Sequence, residues 1–295
     1  MSATPFDIPF RSPNTPAALT AHNRIRFRCH EGISCFSVCC QQADVTLAPY
    51  DILRLKRRLG MGSSEFLEAY TVPFQMEGDG LPGVKLKTAD NGTCLQLDGD
   101  SGCGVYADRP TVCRYYPLAF LALREKGATA ATEQFTLVRE AHCKGHDEPR
   151  ASSIDDYRAE QQVQAFDEHN REWYQLILKK RSAGPTVGKP PATSLQLFFM
   201  ASYDIDRFRR FVLSDNFRGT YQLTDDSYAE LERSDEALLR FAYRFLRQVL
   251  FGEHTVQEAA DAWEKRVARR KAVWDARREL ELARRAKAED DKYRR

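Results

Sequence analysis

Cys29, Cys35, Cys39 and Cys40 fall within the twelve residues Cys29-His-Glu-Gly-Ile-Ser-Cys35-Phe-Ser-Val-Cys39-Cys40. Four further thiols follow at Cys94, Cys103, Cys113 and Cys143, and no cysteine occurs after them. Thiolate sulfur is a ligand of zinc and of iron–sulfur clusters, with four ligands around each ion or one per iron of a cubane. Ligands drawn from one short turn cost little loop entropy, and Cys35-x3-Cys39 supplies such a pair. Cys29 is separated from Cys35 by a turn-prone segment that can return through Gly32. Cys39 and Cys40 are consecutive, so their side chains are expected to diverge, toward two neighbouring metals or with one ligating while the other packs.

Eight thiols divide naturally into two groups of four. Eight unpaired thiolates together would repel one another, so two metal centres, or one with protonated spares, are implied. Arg28, Arg109 and Arg114 lie at or near cysteines and are placed to offset negative charge. His30, His142 and His146 are also near and read as surface or hydrogen-bonding residues, with His142 abutting Cys143. Cysteine can also be a small buried apolar residue. That suits one or two positions, not eight gathered in turn-rich sequence. Sulfur count alone leaves zinc and an iron–sulfur cluster open as the cofactor.

These residues carry a resemblance. The group ending in Cys39-Cys40 resembles the opening of the CxxCxxCC cysteine-cluster family (YkgJ-like), a zinc- or iron-chelating domain. The run Cys103-Gly-Val-Tyr106-Ala-Asp-Arg109-Pro110-Thr-Val-Cys113-Arg114-Tyr-Tyr-Pro117 is similar to that family's C-x-[IV]-Y-x-x-RP-x-x-C-R-x-[YF]-P signature. Cys94 and Cys143 fall where the family places its remaining cysteines. The first motif departs, with Cys-x5-Cys-x3-Cys-Cys in place of Cys-x2-Cys-x2-Cys-Cys. The resemblance implies metal chelation by cysteines, not a reaction. A related branch, the flagellin lysine N-methylases, carries a similar cluster, so a lysine N-methyltransferase-like enzyme is the alternative reading. No glycine-rich S-adenosylmethionine loop and no CxxxCxxC radical signature accompanies it here. Arg109, Pro110 and Arg114 have a plain reading as well, as supports that hold Cys113 in position.

The elements that must position these groups are short. Residues 1–23 carry Pro5, Pro9, Pro13 and Pro16 and read as an irregular arm. Ile25 and Phe27 alternate with arginines as a strand entering the cluster. Pro49 suits a first helical turn, with Ile52, Leu55 and Leu59 on one face and Gly60 as its left-handed cap. Ser63 and Ser64 offer an N-cap for a helix to Tyr70. Gly78–Gly83 formally satisfies GxGxxG, but Pro82 lies inside it and no βαβ unit follows, so it reads as a turn. Val84–Lys87 and Leu95–Leu97 read as strands, Arg109-Pro110 starts a helical turn holding Cys113, and Leu118–Leu123 with Gln134–Val138 reads as a hairpin.

From Ser153 the pattern is helical. Ser153-Ile-Asp-Asp156 resembles a capping box and opens a helix to Lys180. Ser182–Ala192, rich in Gly and Pro, reads as a linker. Leu195–Tyr203, Ile205–Leu213 and the stripe Leu238, Phe241, Phe245, Val249 closed by Gly252 follow. His254–Arg295 reads as one long charged helix, with Val256, Ala260, Trp263, Val267 and Trp274 at helical spacing.

The expected fold is α+β and mainly α: a small irregular Cys-rich metal-binding domain with short strands, then a helical domain ending in a long charged helix. The expected divisions are 1–23 arm, 24–150 cysteine cluster, 151–181 helix, 182–192 linker and 193–295 helical domain. An apolar content of 42% with 11% aromatics can bury a core. A formal charge of +2 demands neither nucleic acid nor an anionic membrane. The N-terminus lacks a secretory pattern and no window approaches the roughly 20 apolar residues of a membrane span. The expectation is a cytoplasmic protein, where persistent disulfides are rare and cysteine patterns mean metal or redox chemistry. Its partners are then a metal ion or cluster, with a protein partner through the C-terminal helix allowed for. Three functions follow: an iron–sulfur or zinc protein in electron transfer or metal handling, the methyltransferase-like enzyme, and structural zinc with a helical interaction module.

Overall fold

A computed structural model describes residues 18–76, 80–123, 132–182 and 190–293. In chain order they form β1 (Arg24–Arg26), β2 (Thr46–Leu47), α1 (Pro49–Leu59), α2 (Ser63–Tyr70), β3 (Thr71–Gln75), β4 (Pro82–Leu86), α3 (Thr111–Tyr115), β5 (Leu118–Leu123), β6 (Thr132–Leu137) and β7 (Ala151–Ser153). The remainder is helical: α4 (Ile154–Glu160), α5 (Gln164–Ser182), α6 (Ala192–Tyr203), α7 (Ile205–Leu213), α8 (Asp215–Arg218), α9 (Asp225–Arg233), α10 (Asp235–Phe251) and α11 (Ala262–Tyr293). The protein is mainly α with small sheets, as expected. No helix among the described residues is long and apolar enough to cross a membrane.

Three small antiparallel sheets hold the first half: β1 with β7, β2-β4-β3 in that order, and the β5–β6 hairpin. The alternation around Ile25 buries Ile25 and Phe27 and turns Arg24, Arg26 and Arg28 outward. These side chains pack with Phe135, Leu137, Ile154, Tyr157 and Val163 into a minor core, against which Cys143 also packs. The larger core joins α1, α2 and β4 to α5, α6, α7 and α10, so residues on both sides of 182–192 share one apolar cluster. An ionic staple closes the same seam. Lys56 on α1 donates to Asp206 on α7 at 2.8 Å and stands 3.3 Å from Asp235 on α10.

Several local expectations hold. Gly60 and Gly252 take φ 66° and 69° and end α1 and α10 in left-handed caps. Ser153 Oγ accepts the Asp156 amide at the start of α4. Others are corrected. The N-cap of α2 is Gly62, while the hydroxyls of Ser63 and Ser64 donate to Asp204. Leu95–Leu97 is not a strand; isolated bridges Thr88–Cys94 and Leu97–Cys103 hold that loop. The helix from Ser153 does not run on to Lys180. It breaks at Gln162, φ 54°, because the Gln161 carbonyl and side chain are taken by Arg114 and Arg109. The last helix starts at Ala262, not His254, and Val256 is buried in the main core instead of lying on it. The expected linker lies largely outside the described residues, as do most of the N-terminal arm and residues 77–79 of the glycine-rich turn.

Candidate metal centre

All eight cysteines are free thiols; Cys143 packs against the minor core, and Cys94 and Cys103 against the larger one. Val38–Cys40 forms a 3-10 turn, entered through Ser37 at φ 62°. The turn keeps Cys39 and Cys40 in contact rather than letting them diverge. The Cys40 thiol hydrogen-bonds to Cys39, which holds Cys39 down at about 7 and raises Cys40 well above its ordinary value.

Two loops close onto this turn. The amide of Cys94 donates to the Cys40 carbonyl at 2.8 Å. The Lys144 amide, one residue past Cys143, donates to Cys35 Sγ at 3.2 Å. Close backbone approaches permit both. Gly145 packs so tightly that a Cβ there would lie 2.6 Å from the Phe27 ring and 3.0 Å from the Arg28 carbonyl. A Cβ at Gly102 would lie 2.9 Å from the Phe36 ring, which seats the Cys103 loop against the Cys35–Cys40 segment.

Electrostatic coupling sorts the sulfurs into two groups. Cys29 is an exposed residue, yet desolvation of its sulfur, then Cys39, Cys35 and Cys143, pushes its thiol up to about 11. Burial, then Cys94 and Cys103, raises Cys113, with Asp51 and Cys39 adding to it. Cys40 feels Cys39, Cys94 and Cys113. One neighbourhood is therefore Cys29, Cys35 and Cys143, the other Cys94, Cys103 and Cys113, and the Cys39–Cys40 pair stands between them. Among the described residues, no three His, Cys, Asp or Glu side chains close into an arrangement that holds an ion. The donor chemistry nevertheless fits a thiophilic cation. Desolvation of the sulfur and neighbouring thiols suppress ionisation at Cys29 and Cys113, and a bound cation would reverse both effects.

Cys113 sits on α3, a single turn fixed at both ends. Pro110 precedes its first residue, and Asp51 Oδ1 accepts the Thr111 amide and hydroxyl while Oδ2 accepts the Ala48 amide at 2.8 Å. Burial pushes Asp51 up to about 6, even against those hydrogen bonds. Arg114 is 1% exposed, and its guanidinium donates to the carbonyls of Arg109, Gln161 and Ala107 and lies 4.1 Å from the Phe166 ring centroid. Arg109 stacks on Tyr106 at 3.9 Å and donates to the Tyr106 carbonyl. The arginines of the second motif thus hold the backbone around Cys113, although Arg109 also lowers Cys29 and Cys103 slightly against the stronger effect of burial.

The histidines sit beside carboxylate and carbonyl oxygens. His30 pairs with Glu148 at 3.5 Å, His142 with Glu140 at 3.6 Å, and His146 meets the Val138 carbonyl at 3.0 Å. Sequence reasoning missed Asp51, which reads as an ordinary first-turn acid of α1, and Gln161, whose role depends on a helix break 47 residues from Arg114.

Eight free thiols on short, turn-rich loops make up the donor chemistry of a thiolate metal-binding domain. Residues 28–144 match the model of the CxxCxxCC family, whose description reads "Putative zinc- or iron-chelating domain". No curated protein and no solved structure matches the chain.

Proposed function

We propose that the chain holds two thiolate metal centres, with residues 24–150 as the metal-binding domain and the helices after 193 as its support. Cys29, Cys35 and Cys143 with Cys39 supply one centre, and Cys94, Cys103 and Cys113 with Cys40 supply the other. The observation that carries this reading is the pair of backbone closures, Cys94 onto Cys40 and Lys144 onto Cys35, which bring thiols distant in sequence to one turn. An ion at each group would deprotonate and draw in sulfurs that otherwise repel. Iron–sulfur is the preferred identity, because adjacent four-thiol sites on one turn suit electron transfer or metal handling in a reducing compartment.

Metal analysis of protein purified without oxygen tests the reading. A brown protein whose visible absorption bleaches with dithionite, with iron and sulfide in cluster stoichiometry, supports it. Cys35→Ser and Cys103→Ser should each remove about half of the metal. Native protein carrying neither iron nor zinc sinks the proposal. A colourless protein with stoichiometric zinc instead favours structural metal, a reading that the two exposed tryptophans of α11 support by giving the helical half a surface for interaction.

A further inference from the structure

We infer that α11 is a docking helix, which lays the strip Trp263–Val267–Trp274 into an apolar, acid-rimmed groove of a partner protein. Trp263 is 65% exposed and Trp274 74%, more than any other large apolar side chain described. Spacings of four and seven residues place the three side chains within about 40° of one another, along about 16 Å of helix axis. The helix is held out to receive a partner. Ala259 and Gln257 pair with the backbone of Thr220 and Gln222 at 2.8 Å, the Val256 amide donates to Gln248 at 2.9 Å, and Ala262 is buried at the root. Beyond that root α11 shares no extensive packing with any other described element.

The occupant follows from charge and from where it lies around the strip. Residues 262–278 contain seven Lys or Arg and only Glu264 and Asp275 as acids. Exposed Arg270, Lys271, Arg277 and Arg278 all fall within about 60° of the strip's centre. The two carboxylates lie farther round, at about 80° and 100°. Cations that border an apolar strip match carboxylates on the rim of a groove. A helix lying on a lipid surface keeps its cations on the polar face opposite its apolar one, whereas here Arg270 and Arg278 fall within about 40° of the strip's centre. Nucleic acid would pair with the cations but leave the aliphatic Val267, set in line between the indoles, without a stacking partner.

The test uses the full chain and calcium-loaded calmodulin as the probe, a protein with an apolar groove and acidic surroundings. Tryptophan emission reports docking, since Trp173 is buried and gives a constant background. A saturable blue shift is expected. Titration calorimetry, which needs no indole reporter, should show binding lost in Trp263→Ala/Trp274→Ala and weakened about tenfold or more in Arg270→Glu/Arg277→Glu. Metal content should be unchanged in both, which separates this inference from the reading of the cysteine centre. Absence of a shift, or an undiminished response in the double-alanine variant, overturns it. So does tighter binding to phosphatidylserine vesicles or to a single-stranded oligonucleotide, which would assign the helix to a membrane or to nucleic acid.

Discussion

Asp51 Oδ1 accepts both the amide and the hydroxyl of Thr111, at 2.9 and 2.6 Å, across 60 residues of sequence. This one carboxylate ties the first turn of α1 to the turn that carries Cys113. Truncation in Asp51→Ala would strand the buried Thr111 and Ala48 donors. A loss of about 3 kcal/mol is expected from unsatisfied buried groups, read as a lower melting temperature with reduced metal content. Wild-type melting in the variant would contradict this role.

Arg114 makes the corresponding link to the second half. Arg114→Lys keeps a charge but loses the planar fork that serves three carbonyls. The expected loss is about 2–3 kcal/mol. Protease cleavage near the Gln161–Gln162 break should also increase, because the carbonyl that Arg114 captures there would be released.

Gly145 is a test of the convergence itself. In Gly145→Ala the new methyl group meets both the Phe27 ring and the Arg28 carbonyl. Overpacking of this kind costs about 1–3 kcal/mol, and the Cys143 loop should withdraw from Cys35. Faster alkylation of Cys35 by a small thiol reagent is the expected readout; an unchanged rate would show that the approach is not needed.

The ionic staple sets an acid limit on stability. Burial alone would raise Asp206 and Asp235, but Lys56 and the Ser63 amide at the first, and Arg209, Lys56 and Arg57 at the second, hold both below the usual carboxylate range. Groups depressed in the folded state stabilise it above their unfolded value and lose that contribution as pH falls through the folded one. Wild type should therefore exceed Lys56→Met by about 2 kcal/mol near neutrality. The gap should narrow below about pH 4, as followed by urea unfolding. A gap that persists at pH 2 would show that the pair acts through packing alone.

Much of this arrangement is legible in the residues. Pro49, Gly60 and the Ile52–Leu55–Leu59 face define α1, and the stripe ending at Gly252 defines α10, because capping and 3.6-residue periodicity act over a few neighbours. The hairpin of β5 and β6 is equally local. The clustering of Cys29 to Cys40 likewise marks the thiol centre without reference to any fold. What sequence reasoning misplaced depends on groups far along the chain. Gln162 interrupts a helix-forming run because two arginines some 50 residues away take Gln161.

By itself the sequence determined the clustering of the thiols, the helical second half and the charge of the last helix, since each is a property of composition or short-range spacing. Only the tertiary structure decided that Cys94 meets Cys40, that Lys144 meets Cys35, and that Asp51 and Arg114 anchor the turn of Cys113. Those contacts join segments separated by tens of residues. They exist because buried polar groups must find partners wherever packing of the two cores brings the chain together.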